Sequence, residues 1–488
     1  MKKIWRALGS LALLSIVAIA ASAQVSSTPP KNIRVNDPAQ DSLVEDHTTQ
    51  SEVSLAVFGQ TVVVAYVDTG QFLPRINGQS SLAGISVSTD GGKTFQDKGR
   101  LTANASGWGL SDPVLTVDRR GNFYSVSNQR NAQGDPLMGV SKSSDGDQTF
   151  SVPVLIPGTG PSNSFYQDKP WIAVDDTGGP FDGNVYIAWT EFTPAGEERV
   201  LLSRSTDGGQ IFSAPTISSA TGPVSQIGTS LAVGPNGELY LAWGEEIPDS
   251  EKIGIRIRKS SNAGQSWGPI VTVGEALLSR HEDNVCPRSA GYILNGKISN
   301  FILPAIAVDR SSGPSRGRVY VVYETALPNN EDQSDIYFAA LDSDLKTVIA
   351  PKRVNDDTTK NEQFFPAIAV SPSGALGIAF FDRRLDPNNL LIDYFLAISK
   401  DGGTTFEPNQ RVTDTSFGVP PIAGQSTSTK NFDSLRNECY MGDYAAIAAD
   451  ANNFYLAWGD NRNTVTTPAY PSGRPDPDVY FATMPIEK

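Results

Sequence analysis

From about residue 32 onward the chain is a succession of short apolar segments separated by polar turns. The segments run about 4–8 residues, are rich in β-branched and aromatic side chains, and lack the 3.6-residue spacing of a helix, so they predict antiparallel strands. A block reading Pro-x-Ile-Ala-Val-Asp, a Gly turn, then Val-Tyr-x-Ala-Trp recurs about every 60 residues. Its first strands are Val53 to Phe58, Asp112 to Asp118, Lys169 to Asp175, Thr229 to Gly234, Pro304 to Asp309, Pro366 to Ser371 and Ala445 to Asp450, which makes seven blocks. A second strand follows (Val185 to Trp189, Leu239 to Trp243, Phe454 to Trp458), then a third (Arg199 to Arg204, Asp393 to Ser399, Asp478 to Thr483), and in most blocks a fourth (Val152 to Ile156, Gln410 to Thr413). The two long intervals are expected to be absorbed by loops at Gly274 to Leu303 and Asp414 to Gly442.

A repeated four-stranded meander is a β-propeller blade. The seventh block stops before a fourth strand, whereas Asn32-Ile33-Arg34-Val35-Asn36-Asp37 reads like Lys352-Arg353-Val354-Asn355-Asp356 and Gln410-Arg411-Val412-Thr413-Asp414. This predicts that the N-terminal strand pairs in the last blade and closes the ring, leaving no open sheet edge. The expectation is one all-β propeller over 32–488, with 24–31 as a Ser/Thr/Pro leader. Residues 1–23 carry Lys2, Lys3 and Arg6, an apolar stretch and Ala21-Ser22-Ala23, the pattern of a cleaved export signal. The protein is therefore expected outside the cytoplasm, secreted or periplasmic, with no membrane span in the mature chain. No Cys follows the signal to take a lipid anchor.

The 44 Gly and 33 Pro fit many turns, and 19% charged residues is below the usual quarter or so of a globular chain. The formal net charge of -14 disfavours phosphate backbones and hence nucleic acid. With only His47, His281, Cys286 and Cys439, zinc and iron–sulfur sites are disfavoured; the two cysteines could form one disulfide or stay as buried thiols. No cofactor is expected. Acidic loops such as Asp175-Asp176 and Ser144-Asp145-Gly146-Asp147 could take structural Ca²⁺, but no 12-residue calcium loop is present.

Between third and fourth strands lies Ser-x-Asp-x-Gly-x-Thr-Phe, complete at Ser88 to Phe95 and Ser399 to Phe406, and varied at Ser143 to Phe150, Ser205 to Phe212 and Ser260 to Trp267. Block five is degenerate, with Leu341 and Ser343 at the Ser and Asp positions. The element is expected to be a turn staple, with Asp capping backbone N–H groups, Gly at positive φ and the aromatic tucked under the hairpin. On these residues the chain resembles the sialidase (neuraminidase) superfamily of Asp-box, or BNR-repeat, propellers. The resemblance implies a propeller, with six blades usual in sialidases and seven counted here. It also implies glycan or glycoprotein as partner, a Tyr–Glu nucleophile, an Asp acid/base and three substrate-clamping arginines. The Phe-Arg-Ile-Pro string of that family is absent, and Phe72-Leu73-Pro74-Arg75-Ile76 has a different order, so no arginine triad transfers position by position.

Function is expected on the face of the second-to-third loops and inter-blade links, where loops of all blades converge. The position closing the second strand reads Asp68, Gln129, Glu191, Glu245, Thr325, Asp382 and Asp460, with Arg384 and Arg462 two residues beyond the last two. These carboxylates either cap loops and pair with the arginines, or serve glycoside chemistry as acid and opposing carboxylate. The links add Tyr166-Gln167-Asp168-Lys169, Asn361-Glu362-Gln363 and Arg436 to Tyr444. The candidates are thus Glu438, Tyr440, Asp443, Asp382 and Asp460 for catalysis, and Arg384, Arg462, Arg436, Asp68, Glu191, Glu245 and Asp168 for substrate. The aromatics Tyr66, Trp189, Trp243, Tyr323, Phe380 and Trp458 either stack sugars or pack between blades. Two functions fit: a sialidase-type glycoside hydrolase acting on terminal sugars, and a non-catalytic propeller that binds glycan or protein. The oligomeric state is left open.

Overall fold

A computed structural model describes residues 28–487, apart from 44–46, 71–80, 104–107, 110, 146–148, 161–165, 220–221, 223, 280–292, 297, 329–332, 419–440 and 469. The expected export segment, Cys286, Cys439, Arg436, Glu438 and Tyr440 lie outside the described residues. Among those described, helical structure is limited to the 3-10 turn Pro38–Gln40 and the single 3-10 residue Pro328. No described helix is long and apolar enough to cross a membrane.

Seven antiparallel sheets form the blades of a propeller. Blade 1 comprises Gln50–Phe58, Thr61–Asp68, Ala83–Ser88 and Gln96–Arg100. The fourth and sixth are equally regular, at Gln226–Val233 to Val271–Leu277 and Gln363–Val370 to Gln410–Arg411. First strands pack against first strands of the neighbouring blades in a closed circuit, so they line the central channel and the fourth strands form the rim. The chain closes as the pattern predicts: Ile33–Arg34 pairs antiparallel with the last strand, Ile33 opposite Phe481 and Arg34 opposite Tyr480.

Two local expectations change. Gly274 falls inside the fourth strand of blade 4, Val271–Leu277, and the long interval that follows contains a small hairpin of Ile293–Leu294 with Ile298–Ser299. Blade 2 carries an extra short strand, Trp108–Gly109, beside Phe123–Arg130.

The core is divided among the blade interfaces. Tyr66, Trp189, Trp243, Tyr323, Phe380 and Trp458 are buried, each in a separate cluster shared by two adjacent blades. They therefore pack between blades and offer no face to a sugar.

The Asp-box turns are staples of the kind their residues predict. Asp90 Oδ1 accepts from the Lys93 and Thr94 amides at 2.9 and 3.0 Å, its Oδ2 accepts from Thr94 Oγ1, and Ser88 Oγ accepts from the Gly92 amide at 2.8 Å. The aromatic does more than lie under its own hairpin: Phe95 meets Phe481 of the preceding blade edge to face at 5.0 Å, and Phe406 meets Phe338 at 5.4 Å. The box glycines explain this contact. Gly92 sits at φ +85°, and a Cβ there would lie 2.2 Å from the Phe481 ring, so only Gly lets the turn approach its neighbour.

Candidate functional site

The channel mouth is built by a bulge repeated at the start of the first strands. Register shifts between Ser51 and Ser54, Asp168 and Trp171, Ile227 and Ser230, and Phe364 and Ala367 mark it in blades 1, 3, 4 and 6. Glu52, Lys169 and Phe365 adopt φ of 52°, 51° and 51° there, and Asp112 has 62° at the matching point of blade 2. Non-glycine residues seldom occupy this region, and a bulge turns a side chain out of the regular alternation. By alignment the position reads Glu52, Asp112, Lys169, Gly228, Leu303, Phe365 and Tyr444. Blades 1 to 3 put charge at the mouth, and blades 4 to 6 do not.

These charges meet around one lysine. Lys169 Nζ donates to Asp443 Oδ2 and lies 3.5 Å from Glu52 Oε1, with its ammonium 4.9 Å from the centre of the Tyr444 ring. Burial works against the ammonium, but Asp443, Glu52, Asp112 and Asp168 outweigh it and hold its pKa above the ordinary lysine value. Burial pushes the Asp112 carboxyl up, reinforced by the charge of Asp168 and opposed by a hydrogen bond from Glu52. Asp168 is likewise pushed up by burial, against the pull of Lys169. Asp112 and Asp168 hydrogen bond to each other. This bond raises Asp112 further and works against the rise of Asp168. The Tyr444 hydroxyl is raised well above its usual range, first by burial and then by the surrounding acids.

The cluster separates two spaces. Below it, a channel cavity of about 170 Å³ is lined by apolar side chains of the first strands, with Glu324 and Tyr444 among them. Glu324 Oε2 accepts from the Phe365 amide at 2.6 Å, and burial pushes its carboxyl up to about 8 despite that bond. Above the cluster, on the second-to-third loop face, opens a cleft of about 650 Å³ whose lining includes Tyr166, Asp168, Lys169, Phe192, Glu198, Glu246 and Asp443. Lys169, Asp443 and Phe301 line both spaces.

Of the residues singled out in the sequence, the structure brings Asp168 and Asp443 together here. Both come from the inter-blade links; the acidic ring that closes the second strands lies elsewhere. Asp382 accepts from the Arg384 amide and Nε at 2.7 and 2.8 Å, and Arg384 continues outward to Asp356 and Asn409 while lying 4.6 Å from the Phe395 ring centre. Asp460 and Arg462 repeat this arrangement with Asp414, Asn32 and Tyr480. Both are staples running to the outer strands. Glu191 accepts from Thr159 and Gln167, Asp68 accepts from Gln50 and the Gly70 amide, and Glu245 pairs with Arg256 at 2.9 Å. A recurrent Gln two or three residues before the apolar run thus faces the acid in blades 1 and 3. The loop acids Asp175 and Asp176 engage Thr177 and Arg310.

Of Glu52, Asp112, Lys169, Tyr444 and Glu324, only Lys169 and Tyr444 stood among the sequence candidates, as members of the link segments and without a role. The only signal for the first four is their shared place just before an apolar strand, where the residue type differs in every blade.

No family model matches the sequence, and no curated protein matches it. Among solved structures, the fold is similar to a Hadza microbial sialidase, with 13% identity, 85% of this chain and 75% of that one covered, and a TM-score of 0.44. It is also similar to the α-L-arabinofuranosidase of Fusarium graminearum in complex with arabinobiose, with 12% identity, 73% and 93% covered, and a TM-score of 0.48. An ulvan lyase gives 9% identity, 94% and 96% covered, and a TM-score of 0.48. Similarity at this level concerns fold and carries no chemistry across.

Proposed function

We propose that this chain is a glycan-acting propeller and that the carboxyl cluster at the channel mouth is its reactive centre. The observation that carries this reading is that Asp168, raised by burial and hydrogen bonded to Asp112, lines the same cleft as Asp443, which is held by Lys169. Glycoside cleavage needs one carboxyl that gives a proton to the leaving oxygen and a second that acts as base or nucleophile. Asp168 fits the first role, since desolvation keeps its proton at pH values where an exposed Asp has lost it. Asp443 fits the second, with Lys169 fixing its orientation. Glu438, Tyr440 and Arg436 lead into this segment and remain candidates for the same centre.

The charge of the cleft bears on the substrate. Glu198, Glu246 and Asp443 face it beside Asp168, and the one cation among the described lining residues is Lys169, which is already paired with Asp443 and Glu52. Such a lining repels a sugar carboxylate, so the reading favours a neutral sugar over a sialoside. Incubation of the full chain with aryl glycosides of neutral sugars and with a fluorogenic sialoside tests it: turnover of a neutral glycoside, abolished in Asp168→Asn, is the expected result. The burial of Lys169 and Asp443, at 7% and 6% exposed, favours a second reading in which the cluster is a rigid plug beneath a binding surface. No turnover of any glycoside, with retention on immobilised glycans, would decide for that.

A further inference from the structure

The wall of the cleft beside Asp168 differs from the corresponding wall of other blades. Tyr166 and Phe192 are partners across the first and second strands of blade 3, with ring centroids 5.8 Å apart and a 49° tilt. At the same pair of positions blade 1 has Thr49 and Thr69, linked through the Thr69 hydroxyl, blade 4 has Ser225 and Glu246, and blade 6 has the buried ion pair Glu362–Arg383. The blade architecture therefore places no demand for aromatics here. Tyr166 is 43% exposed and Phe192 is half-buried, whereas the second-strand aromatics that pack between blades are buried. Exposed aromatic area in a cleft is costly in water unless something covers it.

The placement says what would cover it. Tyr166 and Asp168 are two residues apart on one strand, so their side chains project to the same side about 7 Å apart. That is comparable to the step between neighbouring rings of an oligosaccharide. Beside them Glu198 is held by the Ser225 hydroxyl and the Gln226 amide, both at 2.7 Å, a fixed acceptor at the edge of the ring pair. A flat apolar surface next to oriented polar groups matches the C–H face and hydroxyl rim of a sugar.

We propose that Tyr166 and Phe192 form a stacking platform for a second sugar unit, adjacent to the unit held at Asp168, so that the ligand is a neutral oligosaccharide rather than a single terminal sugar. This rests on the glycan reading of the cleft, although the platform does not need the carboxyl cluster to be catalytic. The test compares the wild-type full chain with Tyr166→Ala, Phe192→Ala and Tyr166→Trp. Substrates are an aryl monoglycoside and an oligosaccharide of the same neutral sugar. Tyr166→Ala is expected to lower kcat/KM for the oligosaccharide about tenfold more than for the monoglycoside, chiefly through KM, with Tyr166→Trp restoring the difference. Equal effects on both substrates, or none on either, would overturn the platform while leaving the reactive centre standing. If no glycoside is turned over, the catalytic reading fails, and retention on immobilised neutral oligosaccharides decides: weaker retention in Tyr166→Ala supports the platform, and unchanged or absent retention overturns it.

Discussion

The two faces of the ring use the same side chain in opposite ways. On the Asp-box face, Asp90 and Asp145 are exposed, and hydrogen bonds from the hydroxyl and amide of the Thr four residues on, with help from Ser88 and Ser143, hold their carboxyls below the usual range. On the funnel face, Asp112 and Glu324 are buried and Asp168 is half-buried, and desolvation pushes their carboxyls up. The first set is repeated with little change from blade to blade and locks each turn to the blade before it. The second occupies positions whose residue type changes around the ring, and at that of Asp112 no two blades agree. In a repeat protein regularity marks what every unit needs to stand, and chemistry belongs where the repeat is broken.

The largest expected effect would break this contrast at its active side. Asp168→Asn should lower glycoside turnover by about 10²- to 10⁴-fold, as loss of a general acid does, with the far-ultraviolet spectrum unchanged. Wild-type activity should fall as pH rises through a point above the ordinary Asp range; a profile that rises instead would assign Asp168 another role.

Next in size is the lysine. Lys169→Met removes the ammonium from a ring of buried carboxylates and should cost about 3–5 kcal/mol, seen as a lowered denaturation midpoint. The loss should grow with pH, because the stranded acids are tolerated when protonated and not when ionised.

On the opposite face, Gly92→Ala should cost about 1–3 kcal/mol from overpacking against Phe481 and strain at positive φ, while turnover per folded molecule stays the same. A change in kcat there would mean the two faces are coupled.

Glu324 sharpens the comparison through pH. Its folded pKa, about 8, lies above the unfolded value of 4.5, so the folded state binds more protons between them. Stability is then greatest below about 4.5 on this account and falls as pH rises toward 8. Glu324→Gln should remove that part of the slope between melts at pH 5 and pH 8.

The smallest effect belongs to Asp90→Ala. Because the carboxylate is fully exposed and one box among several, a drop of about a degree or two in melting temperature is expected, with no change in activity.

Much of the scaffold was legible because its determinants are local. The alternation around Ile172-Ala173-Val174, the Gly turns and the Ser-x-Asp-x-Gly-x-Thr-Phe boxes each act within a few residues, and repetition amplified them. Ring closure was legible as well, since Asn32 to Asp37 copies the fourth-strand pattern of blades 5 and 6. The candidate site was only partly legible. Asp168 and Asp443 were found through the polar links that carry them, but the acids closing the second strands, such as Asp382 and Asp460, proved to be held by Arg384 and Arg462 in outward staples.

The sequence by itself determined the kind of unit, the number of units and how the last one is completed, because strand period, turn chemistry and capping are short-range. Only the tertiary structure decided which charges share a volume. Glu52, Asp112, Lys169 and Asp443 lie as much as several hundred residues apart and meet because a ring brings the starts of its inner strands to one mouth. Their protonation follows from burial and mutual distance, quantities that exist only once the ring has closed.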